Sequence, residues 1–444
     1  MGNGPRRRDR TLLIVAAAWV AGAAYGYRVH RDHWPPYDAG VALYRWTLSR
    51  PGGPPRSAGE APPRPGAPLT PEQQEKIAQL EALGYVVGMT PAPPGRGVTV
   101  HERGAPFEGV NLYSSQHGPE AVLIDMAGRV LHRWSCRFED AFADSPAPKD
   151  SSGDGYYRRV YLFPDGDLLA IFEGLGIIRL DRTGALRWAV RNGAHHDVDV
   201  GPDGTIYVLT RRAHVVEAVH PTEPILEDEV EILTPGGRRL DRVSILDAVR
   251  SSDYSALMAG SPEVGDVFHT NSIQLLDGRL AGRLPAFARG HFLISIRNRD
   301  AIAVLDPARR KVVWVMRGLT IRQHDPSLLD NGNVLVFDNG DERGGSRVLE
   351  VDPATQRILW RYPEAASAEL FSRRFGTAQR LPNGNTLMTF SDLGTALEVT
   401  PDRRVVWRFD SPHRTGVGNA FVTTLADVQR HRWDHVSSWL DAAS

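Results

Sequence analysis

Three histidines, His196, His269 and His324, each precede a short apolar run that ends in a tight turn. His196 and His324 lie eight residues before the glycine of that turn, and His269 lies nine residues before it. A repeat architecture that superimposes equivalent positions would gather the three imidazoles at one place. Neutral imidazole is a nucleophile toward phosphorus or sulfur(VI) and a general base, so the cluster is suited to taking up a phosphoryl or sulfuryl group.

Further polar residues are predicted at the same place. The second strand of an antiparallel unit returns beside the start of the first, and these second strands end in Arg211, Arg297 and Asn339. Arginine offers a fixed fork of donors to tetrahedral oxyanions, and an asparagine amide adds a neutral donor. For Arg297 a structural tie between units is the alternative, and for Arg211 a structural role is favoured. Gly376 stands at the equivalent start of another first strand and is expected to leave space for a ligand.

Several roles stay open at this point. His195 either participates itself or orients His196. Three histidines also suit zinc or iron, so the residues leave a metal site open. Asp197 and Asp325 each follow a histidine directly and therefore point to the opposite face of the strand. We expect these two carboxylates to hold turn backbone or contacts between units.

The histidines belong to a repeating unit that predicts an all-β fold. Residues 323–362 read as strand, Asn-Gly hairpin turn, strand, strand, turn and strand. The same pattern recurs at residues 160–188, 197–233, 271–314 and 377–407, and a less regular copy ends at Trp134. Four copies end in a tryptophan: Trp188, Trp314, Trp360 and Trp407. Self-similar four-stranded units of this length are typical of a β-propeller, here with six blades over residues 98–424. Residues 419–424 are expected to add the strand that closes the ring.

Composition excludes several classes of function. The 444-residue chain is 41% hydrophobic and 24% charged, which is ordinary for a globular protein. Its net charge of −1 gives no reason to expect nucleic acid as a partner. Cys136 is the only cysteine, which rules out an internal disulfide and a cysteine-based metal cluster.

The N-terminus has the features of a targeting segment. Four arginines within the first ten residues precede an apolar stretch over residues 11–25. That stretch is short for a spanning helix but fits a signal sequence, and the arginines are expected to stay in the cytoplasm. We predict a retained signal anchor over residues 1–26 in the inner (cytoplasmic) membrane, with the propeller in the periplasm. A cleaved signal peptide is the alternative.

Residues 27–97 are predicted to be a juxtamembrane and Pro-rich linker that contains one helix, residues 71–83. Thr70 provides the N-cap, Pro71 the first helical residue and Gln73 the capping-box side chain. We expect this helix to dock on the main domain. The last residues, 425–444, are predicted to form a peripheral C-terminal helix.

Four short segments resemble the bacterial arylsulfate sulfotransferases, periplasmic enzymes that move a sulfuryl group between phenols without a nucleotide cofactor (PAPS-independent). They are His195-His196-Asp197, Phe268-His269-Thr270-Asn271-Ser272, Ser295-Ile296-Arg297 and Gln323-His324-Asp325. Their order and context agree over roughly residues 98–424.

The resemblance implies a six-bladed propeller and a ping-pong mechanism in which His324 attacks the sulfur of an aryl sulfate and carries the sulfuryl group transiently. It implies that His196, His269, Asn271 and Arg297 bind sulfuryl oxygens or assist proton transfer. Four more residues are candidates for binding substrate: His195, Arg211, Asn339 and Gly376. The implied partners are an aryl sulfate donor and a phenolic acceptor, with no cofactor and no metal.

The chain also departs from that family. Characterised members carry a separate N-terminal β-domain and a disulfide, whereas this chain has a spacer, one helix and a lone cysteine. A membrane-tethered propeller used for binding or assembly is therefore one alternative, and a metal-dependent hydrolase is another. A quinoprotein dehydrogenase shares the tryptophan-bearing units but needs an adjacent cysteine pair. The natural donor, the natural acceptor and the oligomeric state do not follow from the sequence.

Overall fold

The computed structural model describes residues 69–82, 90–148, 151–259 and 264–440. All of them belong to one compact unit, residues 66–444. The predicted signal anchor and the linker up to residue 68 lie outside the described residues. Within those residues, no helix combines the length and the apolar character needed to cross a membrane.

The described part of the chain is mostly strand, with four short helices. The helices are α1 (Pro71–Glu81), α2 (Phe138–Ala141), α3 (Ile245–Arg250) and α4 (Ser437–Leu440). The first strands are β1 (Thr90–Pro91), β2 (Gly97–His101), β3 (Val110–Ser115), β4 (Glu120–Ile124), β5 (Val130–Ser135), β6 (Arg159–Leu162), β7 (Leu168–Phe172), β8 (Gly176–Leu180), β9 (Leu186–Val190), β10 (Ala194–Val200), β11 (Ile206–Val215), β12 (Pro224–Leu233), β13 (Arg239–Ser244) and β14 (Gly265–Asp266). The others are β15 (Thr270–Leu275), β16 (Phe292–Ile296), β17 (Ala301–Asp306), β18 (Lys311–Arg317), β19 (His324–Leu328), β20 (Val334–Asp341), β21 (Gly345–Asp352), β22 (Arg357–Tyr362), β23 (Thr377–Arg380), β24 (Thr386–Phe390), β25 (Thr395–Val399), β26 (Val405–Asp410), β27 (Arg414–Thr415), β28 (Phe421–Val422) and β29 (Leu425–His431).

These strands form six antiparallel sheets of four or five strands within the described residues. In order, they are sheet I (β29-β3-β4-β5), sheet II (β6-β7-β8-β9), sheet III (β10-β11-β12-β13), sheet IV (β15-β16-β17-β18), sheet V (β19-β20-β21-β22) and sheet VI (β23-β24-β25-β26-β2). Strand β14 adds to sheet III as a parallel neighbour of β12, and β1, β28 and β27 make a small separate sheet. Sheets II to VI have the order of strands and turns that the sequence predicts.

The six sheets pack face to face in a closed series. Each of six hydrophobic clusters is shared by two consecutive sheets, and one of them joins sheet VI back to sheet I. Both faces of each sheet are therefore covered. This is why strands such as β7, β16, β17 and β24 are buried along their whole length. The arrangement is propeller-like.

The recurring tryptophans link one sheet to the next. The indole nitrogen of Trp134 in sheet I donates to the carbonyl oxygen of Gly166 in the first turn of sheet II, at 3.0 Å. Trp360 in sheet V donates to Pro401 of sheet VI, at 2.9 Å. Trp407 in sheet VI donates to the carbonyl oxygen of Met126 in sheet I, at 3.0 Å, and this contact joins the last sheet to the first. The tryptophan repeat seen in the sequence therefore marks contacts between sheets.

Helix α1 confirms the predicted capping box. Thr70 accepts from the backbone of Gln73, and the Gln73 side chain accepts in return from the backbone of Thr70. The helix docks on sheet III, where Gln73 donates to the carbonyl oxygen of Thr222 at 2.8 Å and Lys76 pairs with Glu223 at 2.9 Å. It ends at Glu81, two residues before the predicted end.

The C-terminal prediction is wrong in two respects. Residues 425–431 form strand β29 instead of a helix, and it is β29, not residues 419–424, that closes the ring by pairing with β3. Between residue 425 and residue 440, the last described residue, helix is limited to a 3-10 turn at Trp433–His435 and to α4, Ser437–Leu440. The reason is tertiary, because the otherwise open edge of β3 offers backbone partners along its whole length. The ring domain thus extends from β2 to β29, beyond the predicted limit at residue 424.

Candidate active site

The three histidines stand at irregularities near the starts of three first strands. The pairing register shifts between Ala194 and Val198 in β10, between Thr270 and Ser272 in β15, and between His324 and Ser327 in β19. Each shift is accompanied by a left-handed residue: His196 (φ 54°), His269 (φ 52°) and Asp325 (φ 52°). A bulge re-aims a side chain out of the strand register, and strain of this kind is concentrated at functional sites.

The bulges bring the imidazoles together. The ring centroids of His196 and His269 lie 4.8 Å apart. His196, His269 and His324 are 4%, 7% and 4% exposed. Burial lowers the pKa of His324 well below its ordinary value, and the nearby Arg297 and Arg158 guanidinium groups lower it further. The imidazole of His324 is therefore neutral at neutral pH.

The tautomer of His324 follows from its partners. Its Nδ1 lies 2.6 Å from Oδ1 of Asn339 and 3.0 Å from the carbonyl oxygen of Arg322. The Asn339 amide nitrogen donates to the carbonyl oxygens of Ser372 and Phe375, both at 2.8 Å, which fixes Oδ1 as the acceptor. Two acceptors at Nδ1 place the proton there, so Nε2 carries the lone pair. Among the residues that the structure describes, none hydrogen-bonds to this Nε2.

His196 is hydrogen-bonded to His195 and to Glu173. The Nδ1 atoms of the two histidines are 2.8 Å apart, and the backbone N–H of His196 donates to Glu173 at 3.1 Å. His195 points away toward Asp228, with 3.6 Å between its Nε2 and Oδ1 of that carboxylate. Burial followed by the charge of Asp266 raises the pKa of Asp228 to about 8. Of the two adjacent histidines, His196 faces the cluster and His195 supports it.

His269 forms a pair with Asp266. Its Nδ1 is hydrogen-bonded to Oδ2 of that carboxylate, which lies in β14. Burial lowers the pKa of His269, while Asp266 acts in the opposite direction. An imidazole whose Nδ1–H is held by a carboxylate presents Nε2 as a base. The sequence interpretation included His269 but missed Asp266, which reaches the site from the connection between two units.

Arg158 and Glu173 belong to the site, and the sequence interpretation also missed them. Both are buried, and Nε of Arg158 lies 3.6 Å from Oε2 of Glu173. The guanidinium of Arg158 also stacks 3.9 Å from the ring centroid of Phe375. The signal was present, because Arg158 lies eight residues before the turn glycine Gly166, as the histidines do before theirs. Glu173 directly follows the second strand of its sheet, as Arg297 does in sheet IV.

The two predicted arginines contact different residues of the cluster. Arg297 is half-buried, its backbone N–H donates to the carbonyl oxygen of His269 at 3.3 Å, and it acts on the pKa of His324. Arg211 is buried, with Nη1 3.9 Å from Oε1 of Glu173. A Cβ atom at Gly174 would approach Arg211 Nη2 to 2.0 Å, so that glycine makes room for the guanidinium.

One family of sequences matches the part of the chain that builds this site. The arylsulfotransferase (ASST) family model matches residues 159–412. The chain belongs to the arylsulfotransferase family. No curated protein matches the chain.

Three of the solved structures that are similar to this arylsulfotransferase-family chain have low sequence identity to it. A protein of unknown function from Bacteroides caccae is 12% identical, with a TM-score of 0.48 over 72% of this chain and 98% of that chain. A streptogramin B lyase is 12% identical, with a TM-score of 0.42 over 75% and 97%. The WD40 β-propeller domain of Doa1 is 11% identical, with a TM-score of 0.39 over 68% and 75%. These TM-scores are all below 0.5, and no conclusion about function follows from them.

Two candidates that the family resemblance or the repeat suggested have other contacts. The side-chain amide nitrogen of Asn271 donates to the carbonyl oxygen of Gln323, at 2.9 Å, so Asn271 braces the residue before His324. Gly376 was expected to leave space for a ligand, but a Cβ atom there would come within 2.4 Å of the Phe337 ring. Its φ of 108° also requires glycine. The space beside Gly376 is therefore occupied by Phe337.

The residues that directly follow Arg158, His196 and His324 meet on the opposite face of the strands, which borders a cavity lined by the first strands of all six sheets and is named the channel side. Arg159 lies 2.7 Å from Asp197, 2.8 Å from Asp325 and 2.9 Å from Asp427. Asp197 also accepts from the backbone of Ile273, at 2.9 Å. The expectation that Asp197 and Asp325 hold contacts between units is confirmed. One guanidinium thus ties sheet II to sheets III, V and I, one residue along the strands from Arg158, His196 and His324.

Metal binding at this site remains a chemical alternative. Glu173, His195 and His196 offer ligand atoms within 4.8 Å of one another, all buried. In this family member, however, the two histidine Nδ1 atoms are hydrogen-bonded to each other, and Nδ1 of His196 also lies 3.4 Å from Glu173. These contacts use the atoms that a metal would need. The group therefore fits a proton-sharing network better than a ligand set.

Proposed function

We propose that this protein transfers a sulfuryl group from an aryl sulfate to a phenol through a transient N–S bond at His324, without PAPS. The six sheets would then be the six blades of a propeller, with the site at one end of its channel. The observation that carries the proposal is the environment of His324, where Nδ1 is held by two acceptors and Nε2 is left with its lone pair. A neutral, fixed imidazole is the form that attacks sulfur(VI).

In the first half-reaction, the lone pair of Nε2 attacks the sulfur of the donor. The N–S bond forms while the bond between sulfur and the aryl oxygen breaks, and that bonding pair leaves with the phenolate. The imidazole keeps its Nδ1 proton and becomes a sulfo-imidazolium. Its positive charge strengthens the hydrogen bonds to Asn339 and to the carbonyl oxygen of Arg322.

Two guanidinium groups are suited to the sulfuryl oxygens. Arg297 and Arg158 both lie close enough to His324 to lower its pKa. Arg158 is buried, and charge-assisted hydrogen bonds from such a group gain strength where water is excluded. Their positive charges would balance the negative charge that the sulfuryl oxygens carry in the transition state.

In the second half-reaction, the acceptor phenol loses its proton to a base and attacks the sulfur, while the N–S electron pair returns to Nε2. We assign the base to Nε2 of His269, because Asp266 holds the opposite nitrogen. In the first half-reaction the phenolate would leave without a proton from His269, because the lowered pKa of that imidazole leaves Nε2 unprotonated. His196, whose ring centroid lies 4.8 Å from that of His269, would complete the wall of the site.

The test uses a chromogenic aryl sulfate with and without added phenol. We expect phenol-dependent release by the full chain, and a sulfuryl adduct on the peptide containing His324 when acceptor is omitted. His324→Ala should lower kcat on the order of 10³-fold or more, while His101→Ala, on the outer strand β2, should behave as the native protein. Release that does not respond to phenol, or an adduct on another residue, would contradict the proposal.

A metal-dependent hydrolase is the competing function, favoured only by the grouping of Glu173, His195 and His196. It predicts that a chelator abolishes aryl sulfate cleavage and that added Zn²⁺ restores it. Sulfuryl transfer as proposed predicts the same rate with and without chelator. The two outcomes are mutually exclusive for the same preparation.

We also propose that residues 1–26 anchor the protein in the cytoplasmic membrane and place the propeller in the periplasm. The support is the arginine cluster followed by an apolar stretch in the sequence. Fractionation after alkaline extraction should leave the full chain with the membranes, and a chain starting at residue 66 should be released. Recovery of both in the soluble fraction would contradict the anchor.

A further inference from the structure

Phe375 contacts two parts of the proposed active site through two different groups. It lies directly before Gly376, in the connection from sheet V to sheet VI, and is 2% exposed. Its carbonyl oxygen accepts from the side-chain amide of Asn339 at 2.8 Å. The centroid of its ring lies 3.9 Å from the central carbon of the Arg158 guanidinium. One residue thus joins the group that orients His324 to a cation that acts on the same imidazole.

The backbone of Phe375 is held in a strained conformation. Its φ of 56° lies in the left-handed region, where bulky side chains are rare. Hydrogen bonds on its N-terminal side support this conformation. The Ser372 hydroxyl donates to the carbonyl oxygen of Arg374 at 2.9 Å, and the backbone N–H of Arg374 donates to Asp392 at 3.2 Å. Strain of this kind persists only where the surrounding structure fixes the residue, and it is concentrated at functional sites.

The orientation of Arg158 depends on the ring of Phe375. Arg158 is 4% exposed, and its Nε has no hydrogen-bond partner among the residues that the structure describes. Its ion pair with Glu173 is 3.6 Å long, beyond hydrogen-bonding distance. A guanidinium over an aromatic face is attracted by the ring, most strongly where water is excluded. The ring is itself fixed by Tyr156 and Ala426, with which it forms a small buried cluster.

We propose that Phe375 is a positioning residue that holds the nucleophile and one sulfuryl-binding cation in a fixed relation to each other. Its carbonyl oxygen keeps Oδ1 of Asn339 directed at Nδ1 of His324, and its ring keeps the guanidinium of Arg158 near that imidazole. The role rests on the proposed function, because it assigns Arg158 to the sulfuryl oxygens. Donors that are in place before the substrate arrives need no reorganisation in the transition state.

An aryl sulfonate tests the ring without turnover, because its carbon–sulfur bond is not transferred. In calorimetry with the full chain, Phe375→Leu should weaken binding about 5- to 30-fold, the loss expected for a buried cation–π contact. Phe375→Tyr keeps the aromatic face and should restore most of the affinity. Phe163→Leu is the matched control, because it removes a ring 4.2 Å from the Arg179 guanidinium, outside the site. That variant should bind the sulfonate as the native chain does.

The pKa of His324 is the second readout. Because the Arg158 cation opposes protonation of His324, a guanidinium that leaves its place raises this pKa. An NMR titration with labelled histidine should show His324 of Phe375→Leu titrating at higher pH than in the native chain. In an Arg158→Met background, the same substitution should leave the pKa of His324 unchanged. That comparison separates loss of the cation from loss of packing.

The double variant decides whether Phe375 acts through Arg158. In Arg158→Met, adding Phe375→Leu should weaken sulfonate binding no further. Equal affinity in Phe375→Leu and the native chain, additive losses in the double variant, or failure of the native chain to bind the sulfonate would each overturn the proposal. Phe375→Met, which also lacks the ring, replaces Phe375→Leu if that variant does not fold. Phenol-dependent release is measured separately. Its absence, with these binding results intact, would contradict the proposed function and not the positioning of Arg158.

Discussion

The two faces of the first strands differ in how their charges are satisfied, although they are built from adjacent residues. Arg158, His196 and His324 contribute to the proposed active site, and the residues directly after them contribute to the channel side. On the channel side Arg159 is paired with three carboxylates. On the active-site side, Nε2 of His324 has no hydrogen-bond partner among the described residues.

The two sides of the first strands also differ in their access to a cavity. A cavity of 760 Å³ is lined by Arg159, Asp197, Asp325 and their neighbours, whereas the histidines are almost fully buried. This cavity therefore lies on the side whose charges are already paired. On the other side, the feature that distinguishes His324 is an oriented nitrogen without a hydrogen-bond partner among the described residues. The channel side serves to fix the strands that carry the site.

The largest loss of stability should come from replacing Arg159, which pairs the three carboxylates on the channel side. Arg159→Met leaves Asp197, Asp325 and Asp427 without their common partner, and breaking such a buried network costs about 3–5 kcal/mol. Urea denaturation at neutral pH measures the loss. Arg129→Met, which removes an exposed ion pair with Asp125, should cost less than about 1 kcal/mol. Equal losses in the two variants would mean that water in the cavity already screens Arg159.

The second largest effect should be a loss of kcat when the residue that orients His324 is replaced. Asn339→Ala removes the acceptor that orients His324, so kcat should fall about 10- to 100-fold with KM nearly unchanged. Steady-state kinetics with a chromogenic aryl sulfate separates the two constants. The matched control is Asn333→Ala in the same sheet, whose amide donates to Glu350. That variant should lose stability without losing kcat, and a similar fall in kcat would refute the orienting role.

Gly376 tests whether the start of the first strand in sheet VI is free for substrate. Gly376→Ala should lower the free energy of unfolding by about 1–3 kcal/mol, because the new Cβ atom meets Phe337 and the backbone is left-handed. Gly282→Ala, where a Cβ would meet nothing within 4 Å, should be nearly neutral. Thermal unfolding of both variants checks this. A stable Gly376→Ala protein with a raised KM would instead support the original substrate-space interpretation.

The smallest expected effect is a shift in pH dependence. Because the pKa of His324 is lowered, His324 stays neutral below the ordinary histidine pKa of about 6.5, and kcat/KM should fall only at more acidic pH. Arg297→Gln removes one cation that opposes protonation of His324, so the pKa of His324 rises and the acid limb of the profile moves to higher pH. A pH profile of kcat/KM shows the shift. An unmoved acid limb would mean that another group controls it.

Much of the architecture could be predicted because it rests on local patterns. The turn glycines, the tryptophan repeat and the Thr70 capping box are short-range signals, and each is found where the sequence placed it. The C-terminal strand could not be predicted in this way. Residues 425–431 become β29 because they pair with the edge of β3, a partner that lies at the opposite end of the domain's sequence.

The sequence by itself determined that His196, His269 and His324 meet, because position within a repeat fixes position around a ring. The eight-residue spacing led to His196 and His324, and it would have led to Arg158 had it been applied to residues other than histidine. Only the tertiary structure decided what each side chain does there. The tautomer of His324 depends on a carbonyl oxygen and on Asn339, 15 residues away, and the space at Gly376 depends on Phe337. Hydrogen-bond direction and packing depend on which residues are neighbours in three dimensions. Spacing along the chain does not reveal those neighbours.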